Sequence, residues 1–327
     1  MNFKNKLRIF MLFLLFILPL NVFAYSDYII PGGKTIGIEV NSKGVLVVGF
    51  YKVDNTYIGR DSGFEVGDKI VKVDAKEVNS IDEMVKAIEA NESKKVSFIV
   101  DRNHSSVELK LTLTQDESGV YKTGLYVKDQ ITGIGTLTYI DPESRKFGAL
   151  GHEIMEKTTA MKFEIKDGTI FNASVTGITK SEKNKAGEKN ATYNKNEVYG
   201  KIEDNEISGI FGNYTENLPN EEKLKVAKPE EVHTGSAIIK TVVDKDIVNE
   251  YTIEILKLDD SNKTKNILFE ITDSKLLEET GGVVQGMSGS PIVQDNKIVG
   301  AVTHVIVNDS TKGYGIFITT MLKEGEN

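Results

Sequence analysis

From about Gly119 onward the chain is a succession of short β-type runs separated by glycine and asparagine turns. The runs are "TGIGTLTYI", "KFGALGHEI", "ASVTGI", "GIFGNY", "HTGSAIIKTVV", "EYTIEILKL", "KNILFEI", "PIVQDNKIVGAVTHVIV" and "YGIFIT". Short strands at even spacing over about 200 residues predict an all-β sandwich or a pair of barrels. Two polar stretches, "SEKNKAGEKNATYNKNEV" (181–198) and "TENLPNEEKLKVAKPEEV" (215–232), read as exposed loops between strands. With 327 residues there is room for a further domain in front of this β-rich half.

That front part has a different grammar. "GDKIVKVDAKEV" reads as a strand, a turn and a short strand. Ser80 is placed to cap a helix, with Glu83 three residues on as its capping-box partner. Ile81, Met84, Val85 and Ile88 then recur at helical spacing. "KVSFIVDR" and "SVELKLTL" form a closing hairpin around "NHSS". The run from Gly63 through Ile88 resembles a PDZ domain. The resemblance implies that "TIGIEV" (35–40) is the strand that takes up a peptide by β-augmentation. The N–H groups around Ile36, Gly37 and Ile38 would receive its terminal carboxylate, and the helix bearing Met84 and Ile88 would wall the groove. The same side chains can instead serve as core, which is the expected role of Met84 and Val85.

The N-terminus predicts export. Lys4, Lys6 and Arg8 precede an unbroken apolar run (9–20), and Val22 and Ala24 make a small-residue cleavage site. Stretched through Ala24, the segment nears the roughly 20 apolar residues a membrane anchor needs. A cleaved signal and a retained anchor both place the remainder outside the cytoplasmic membrane. The formal charge of −8 argues against a general nucleic-acid binder. With no cysteine, disulfides, thiolate metal sites and a cysteine nucleophile are excluded.

Chemistry concentrates in "GGVVQGMSGSPIVQDNKIVGAVTHV" (281–305). A serine hydroxyl needs a base to take its proton and N–H donors for the developing oxyanion. In "GMSGSP" the glycines allow a turn tight enough to aim N–H groups at one point, and Pro291 stiffens the exit. Ser288 is the expected nucleophile, its own N–H and that of Gly286 the expected oxyanion hole, and Ser290 the alternative nucleophile. "GAVTHV" (300–305) would run along the substrate. The base should be one of four histidines. His104 lies in a hairpin turn, His233 beside a polar loop and His304 in the strand after the serine. His152, in "FGALGHEI" at a strand end, is the preferred base. An orienting carboxylate is sought among Asp244, Asp246, Asp259, Asp260 and Asp273, of which Asp273 directly follows a strand.

Taken together, "GIGTLTYIDPESRKFGALGHEI" and "GGVVQGMSGSPIVQDNKIVGAVTHVIVNDSTKGYGIFI", behind an export segment and a PDZ-like run, resemble the stage IV sporulation protein B peptidases. The resemblance implies a mostly β chain in three parts. These are a signal peptide or membrane anchor (1–24), an α+β PDZ domain (28–115) and a chymotrypsin-like double β-barrel serine peptidase domain (118–327). It implies a cofactor-free enzyme with no metal, with Ser288, His152 and Asp273 as its triad. Its protein substrates would be itself and a membrane regulator of an intramembrane protease, whose cleavage activates the late mother-cell sigma factor. It would work in the space between forespore and mother cell, associated with the membrane through its N-terminal segment until self-cleavage. Two other readings are an inactive PDZ-containing envelope adaptor and an envelope quality-control protease. The latter usually carries its PDZ domain after the protease, not before it.

Overall fold

The computed structural model describes residues 25–91 and 93–326. The expected signal or anchor (1–24) lies outside the described residues. Among the described residues, no helix is long and apolar enough to cross a membrane.

Two long strands organise the molecule. β1 (Tyr28–Pro31) leads into β2 (Thr35–Phe50), which pairs antiparallel with a later strand, Leu125–Ile140, from Thr35↔Thr136 to Phe50↔Leu125. This ribbon runs through both halves of the protein. It breaks register between Asn41 and Leu46, where Gly44 sits at φ +88 with no room for a Cβ, which would fall 2.6 Å from the Ile70 carbonyl oxygen.

One end of the ribbon carries a small α+β unit. It contains α1 (Ile58–Asp61), β3 (Lys69–Val73), α2 (Ile81–Glu89), β4 (Lys95–Arg102) and β5 (Ser105–Thr112). The expected strands, hairpin and helix all form. The β4–β5 turn has both Asn103 and His104 at positive φ, the mirror-image turn that suits a two-residue hairpin. The Ser80 hydroxyl caps α2 by accepting from Glu83 N at 3.2 Å, while the Glu83 carboxylate takes the N–H of Asn79. Met84 and Ile88 pack into a core with Val47, Ile70, Phe98 and Val100, whereas Val85 is exposed. The amphipathic spacing therefore served the core first.

The other end of the ribbon continues into two closed sheets. The long partner strand is β6 (Leu125–Ile140), followed by β7 (Lys146–Ala149), β8 (Ile165–Thr179), β9 (Gly187–Glu206) and β10 (Gly209–Tyr214). Pairings β2–β6–β7–β10–β9–β8 and back to β2 close a six-stranded antiparallel barrel. Ile36, Ile38, Leu137, Phe147 and Ile170 fill it. After β11 (Leu224–Val226) come β12 (Gly235–Val242), β13 (Val248–Leu258), β14 (Ile267–Ile271), β15 (Val284–Gln285), β16 (Pro291–Gln294), β17 (Lys297–Val305) and β18 (Lys312–Phe317). Pairings β12–β13–β14–β18–β17–β16 and back to β12 close a second one, around Ile239, Ile253, Phe269, Ile292 and Val302. Closure leaves neither sheet an edge strand to manage. Two short helices, α3 (Ser274–Thr280) and α4 (Ile318–Glu324), complete the described chain.

Three expectations change here. The segment 28–41 belongs to the barrels, so the small unit begins near Gly44 and extends into β6. "TIGIEV" is no peptide-receiving edge: Ile36, Gly37 and Ile38 are paired on one side with β6 and on the other with β8. Their backbone groups are committed to a barrel wall, and Ile36 and Ile38 are buried. The stretch 181–198 is likewise no simple loop, since β9 runs through most of it.

Candidate active site

The serine turn joins β15 to β16 at the seam between the two barrels. β15 pairs parallel with the start of β9 in the first barrel, at Gly187↔Val284 and Glu188↔Gln285, while β16 belongs to the second. The turn is clamped from β6. Thr136 Oγ1 donates to the Gly286 carbonyl at 2.7 Å, Thr136 N donates to the Ser288 carbonyl at 2.9 Å, and Thr138 Oγ1 donates to the Gly289 carbonyl at 2.8 Å. Gly289 is obligatory on two counts. Its φ is +93, and a Cβ there would fall 2.1 Å from the Thr136 carbonyl oxygen and 2.5 Å from Leu150 N.

These bonds sort the turn's N–H groups. Met287, Gly289 and Ser290 donate to the carbonyls of Val284, Val302 and Met287. Among the described residues, no turn or side-chain hydrogen bond uses the N–H of Gly286 or Ser288. With the carbonyls of both residues held by Thr136, that pair of donors is fixed in place before any ligand arrives, which is the requirement for stabilising an oxyanion. Ser288 is the partly exposed hydroxyl of the turn, and its Oγ donates to the Thr303 carbonyl at 2.9 Å. Ser290 is fully buried and donates to Thr241 Oγ1 at 3.0 Å, which fits it to structure and not to attack.

The histidine arrives from β7. Leu150 and Gly151 follow that strand with φ +71 and +73, a left-handed pair that turns the chain sharply. Leu150 packs beneath Gly289, and Gly151 lies against Thr303. His152 is thus delivered beside the serine turn, with its ring 5.3 Å from that of His304 on β17, the residue after the Thr303 whose carbonyl accepts from Ser288. Its Nδ1 lies 2.8 Å from the Glu153 carbonyl oxygen. A carbonyl can only accept, so Nδ1 carries the proton and Nε2 is left as the acceptor. Burial lowers the His152 pKa, and the Glu153 carbonyl and carboxylate partly offset this. His304 is also held low, at about 4, by burial and then by the neighbouring His152 and Lys265. A neutral imidazole ready to accept a proton is the form a general base needs.

The remaining candidates lie elsewhere. His104 is exposed in its hairpin turn. His233 is also exposed, and its Nε2 lies 2.8 Å from Asp295 Oδ2. Asp259 closes its own turn through Ser261, and Asp244, Asp246 and Asp260 are exposed. Among the described residues, no hydrogen bond joins Asp273 to the imidazole. Its carboxylate caps α3, accepting from Leu276 N at 2.9 Å, while the Nδ1 of His152 faces Glu153. A residue directly after a strand is also where a helix cap falls, so its position in the sequence suits a cap as well as a triad. Thr136, in "GIGTLTYI", was not singled out by sequence reasoning. Only its place beside the serine turn in space reveals its role.

A partly exposed serine on a clamped turn, two N–H groups without a turn or side-chain partner and an imidazole beside that turn are the parts that a serine hydrolase site requires. The family model described as SpoIVB peptidase S55 matches residues 119–322, a span that holds both barrels' functional segments. The chain belongs to this family and is a serine peptidase. No curated protein matches. Among solved structures, the PDZ domain of the SdrC-like protein from Listeria monocytogenes matches at 21% identity and TM-score 0.23, over 27% of this chain and 90% of that one. The active form of the Rv3671c protease from M. tuberculosis matches at 15% identity and TM-score 0.32, over 58% of this chain and 71% of that one.

Proposed function

We propose that this chain is an exported serine endopeptidase of chymotrypsin-like architecture that acts in sporulation, cutting itself and a membrane-bound regulator in the space around the forespore. The observation that carries the catalytic part is the serine turn, where Ser288 and two N–H groups without a turn or side-chain partner lie beside the segment that delivers His152.

The chemistry proceeds by acyl transfer. Ser288 Oγ leaves the Thr303 carbonyl and adds to the substrate's peptide carbonyl carbon, and its proton passes to His152 Nε2. The carbonyl electron pair moves onto oxygen, which the Gly286 and Ser288 N–H groups receive. The C–N bond then breaks, with the proton going from Nε2 to the leaving amine. Water reverses the sequence and frees the acid product. The Glu153 carbonyl keeps the ring in the required tautomer. Asp273 serves through its α3 cap, which fixes the short helix that leads into the serine turn. The small α+β unit, of PDZ type, brings protein substrates to the barrels and raises their local concentration.

The test uses the purified full chain. Wild-type protein should shorten itself on incubation, and Ser288→Ala protein should remain intact alone yet be cut when wild-type protein is added. A Ser288→Ala chain that shortens itself at the wild-type rate sinks the assignment.

A further inference from the structure

Packed against Gly286 of the serine turn lies a lysine that the mechanism above does not use. Lys189 follows the Glu188↔Gln285 pair on β9, so it stands level with Gly286. It is 2% exposed. Its methylenes line the face of Gly286 so closely that a Cβ on that glycine would lie 3.1 Å from the Lys189 Cδ and 3.2 Å from its Cβ and Cγ. Its Nζ donates to Thr241 Oγ1 at 2.9 Å and to Thr35 Oγ1 at 3.4 Å. Thr241 Oγ1 in turn accepts from Ser290 Oγ. Thr35, Thr241 and the serine turn come from both barrels, so the ammonium sits in their seam.

Among the described residues, no carboxylate pairs with this ammonium. A buried charge with hydroxyl partners alone is costly, and an apolar side chain of the same shape is often neutral or stabilising in such a place. The position of the charge supplies a use for it. We propose that Lys189 is a positioning residue for the peptidase reaction: its stem holds Gly286 in place, and its ammonium sets a positive charge behind the turn that receives the oxyanion. This rests on reading the Gly286 and Ser288 N–H groups as the oxyanion donors. A fixed positive charge in a low-dielectric seam favours the negative charge that develops on the substrate oxygen.

The same burial makes the charge sensitive to pH. Desolvation lowers the Lys189 pKa to about 7. The groups facing it are Thr35 from β2, Thr241 from β12, Gly286 and Ser290 from the turn, and its β8 partner Ile178. None of these ionises, and no charged side chain contributes to the shift. As pH rises through about 7 the ammonium is lost, and stabilisation of the oxyanion weakens. His152 works in the opposite sense, since it must be neutral to act. The expected profile is a bell in which the acid limb belongs to His152 and the alkaline limb to Lys189.

The experiment measures the rate of Ser288 modification by a fluorophosphonate probe on the full chain, from about pH 5 to about pH 9. Wild-type protein should show both limbs. Lys189→Met should react about tenfold more slowly at the wild-type optimum, keep the acid limb and lose the alkaline one. Its urea midpoint should equal or exceed that of the wild type. A wild-type rate that stays flat to the alkaline end, or a Lys189→Met protein that keeps the wild-type rate and profile, overturns the proposal. Should Lys189→Met not fold, Thr241→Val removes one ammonium partner and should move the alkaline limb to lower pH, and an unmoved limb overturns the proposal equally. Failure of the underlying reading is distinct, because it appears as labelling that is absent or that persists in Ser288→Ala.

Discussion

Replacing Thr136 by valine isolates the clamp that sets the oxyanion turn. Valine keeps the branched shape and the backbone N–H, so the bond from residue 136 N to the Ser288 carbonyl survives. What disappears is the 2.7 Å bond from Thr136 Oγ1 to the Gly286 carbonyl. Both residues are buried, so that carbonyl gains no water in exchange. Leaving a buried acceptor unpaired costs about 1–3 kcal/mol. The expected loss of stability, read as a lower urea midpoint at unchanged slope, falls in that range. The catalytic loss has a separate origin. Once its carbonyl is released, rotation about the φ and ψ of Gly286 is no longer restrained, and its N–H can turn away from the oxyanion. Removing one oxyanion donor costs roughly 10²–10³ in rate. Fluorophosphonate labelling at a temperature where the variant is fully folded should therefore slow by about that factor. A variant that loses stability as expected but labels at the wild-type rate would refute the claim that Thr136 presets the Gly286 donor.

Four further outcomes follow from the same geometry. Ser290→Ala should keep labelling within about tenfold of the wild type and lose about 1 kcal/mol of stability, since its hydroxyl only completes a buried network with Thr241; abolished labelling would make it the nucleophile. Asp273→Ala should lose about 1 kcal/mol through its helix cap, whereas Asp273→Asn, an equally good cap, should keep stability and labelling; a loss of about 10⁴ in Asp273→Asn would place this carboxylate on the imidazole after all. The acid limb of labelling should have its midpoint below the ordinary histidine value of 6.5, because burial lowers the His152 pKa; a midpoint above that value contradicts the buried setting of the imidazole. Glu156 reports on the junction between the small unit and the first barrel. Burial would raise its carboxyl, but Lys128 and the Thr159 amide outweigh this and hold it at about 2. A depressed folded pKa contributes stability above the ordinary value of 4.5 that is lost as pH falls from there towards about 2, and Glu156→Gln should flatten that part of the stability profile.

The second barrel was almost fully legible, because strands such as "EYTIEILKL", "KNILFEI" and "KIVGAVTHV" alternate or run apolar between clear turns. Its serine turn was legible for a chemical reason, since the glycine spacing dictates a tight backbone. The first barrel was harder. β9 reads as polar because the inward positions of its opening half are Gly187, Lys189, Ala191 and Tyr193, and a buried lysine disguises the period of two. "TIGIEV" was misplaced because period-two alternation says that a strand exists but not which strands flank it. That depends on β6 and β8, about 90 and 130 residues downstream. Asp273 illustrates the same limit at a single residue, since a strand-end aspartate suits a triad and a helix cap equally well.

The central claim is that Ser288 attacks from a preset turn with His152 as its base. The most direct test is to treat the full chain with a fluorophosphonate at neutral pH, digest it and locate the adduct by mass spectrometry. The account predicts a single adduct on Ser288 that is absent from Ser288→Ala and strongly slowed in His152→Ala. An adduct on another residue, or labelling that does not depend on His152, would contradict it.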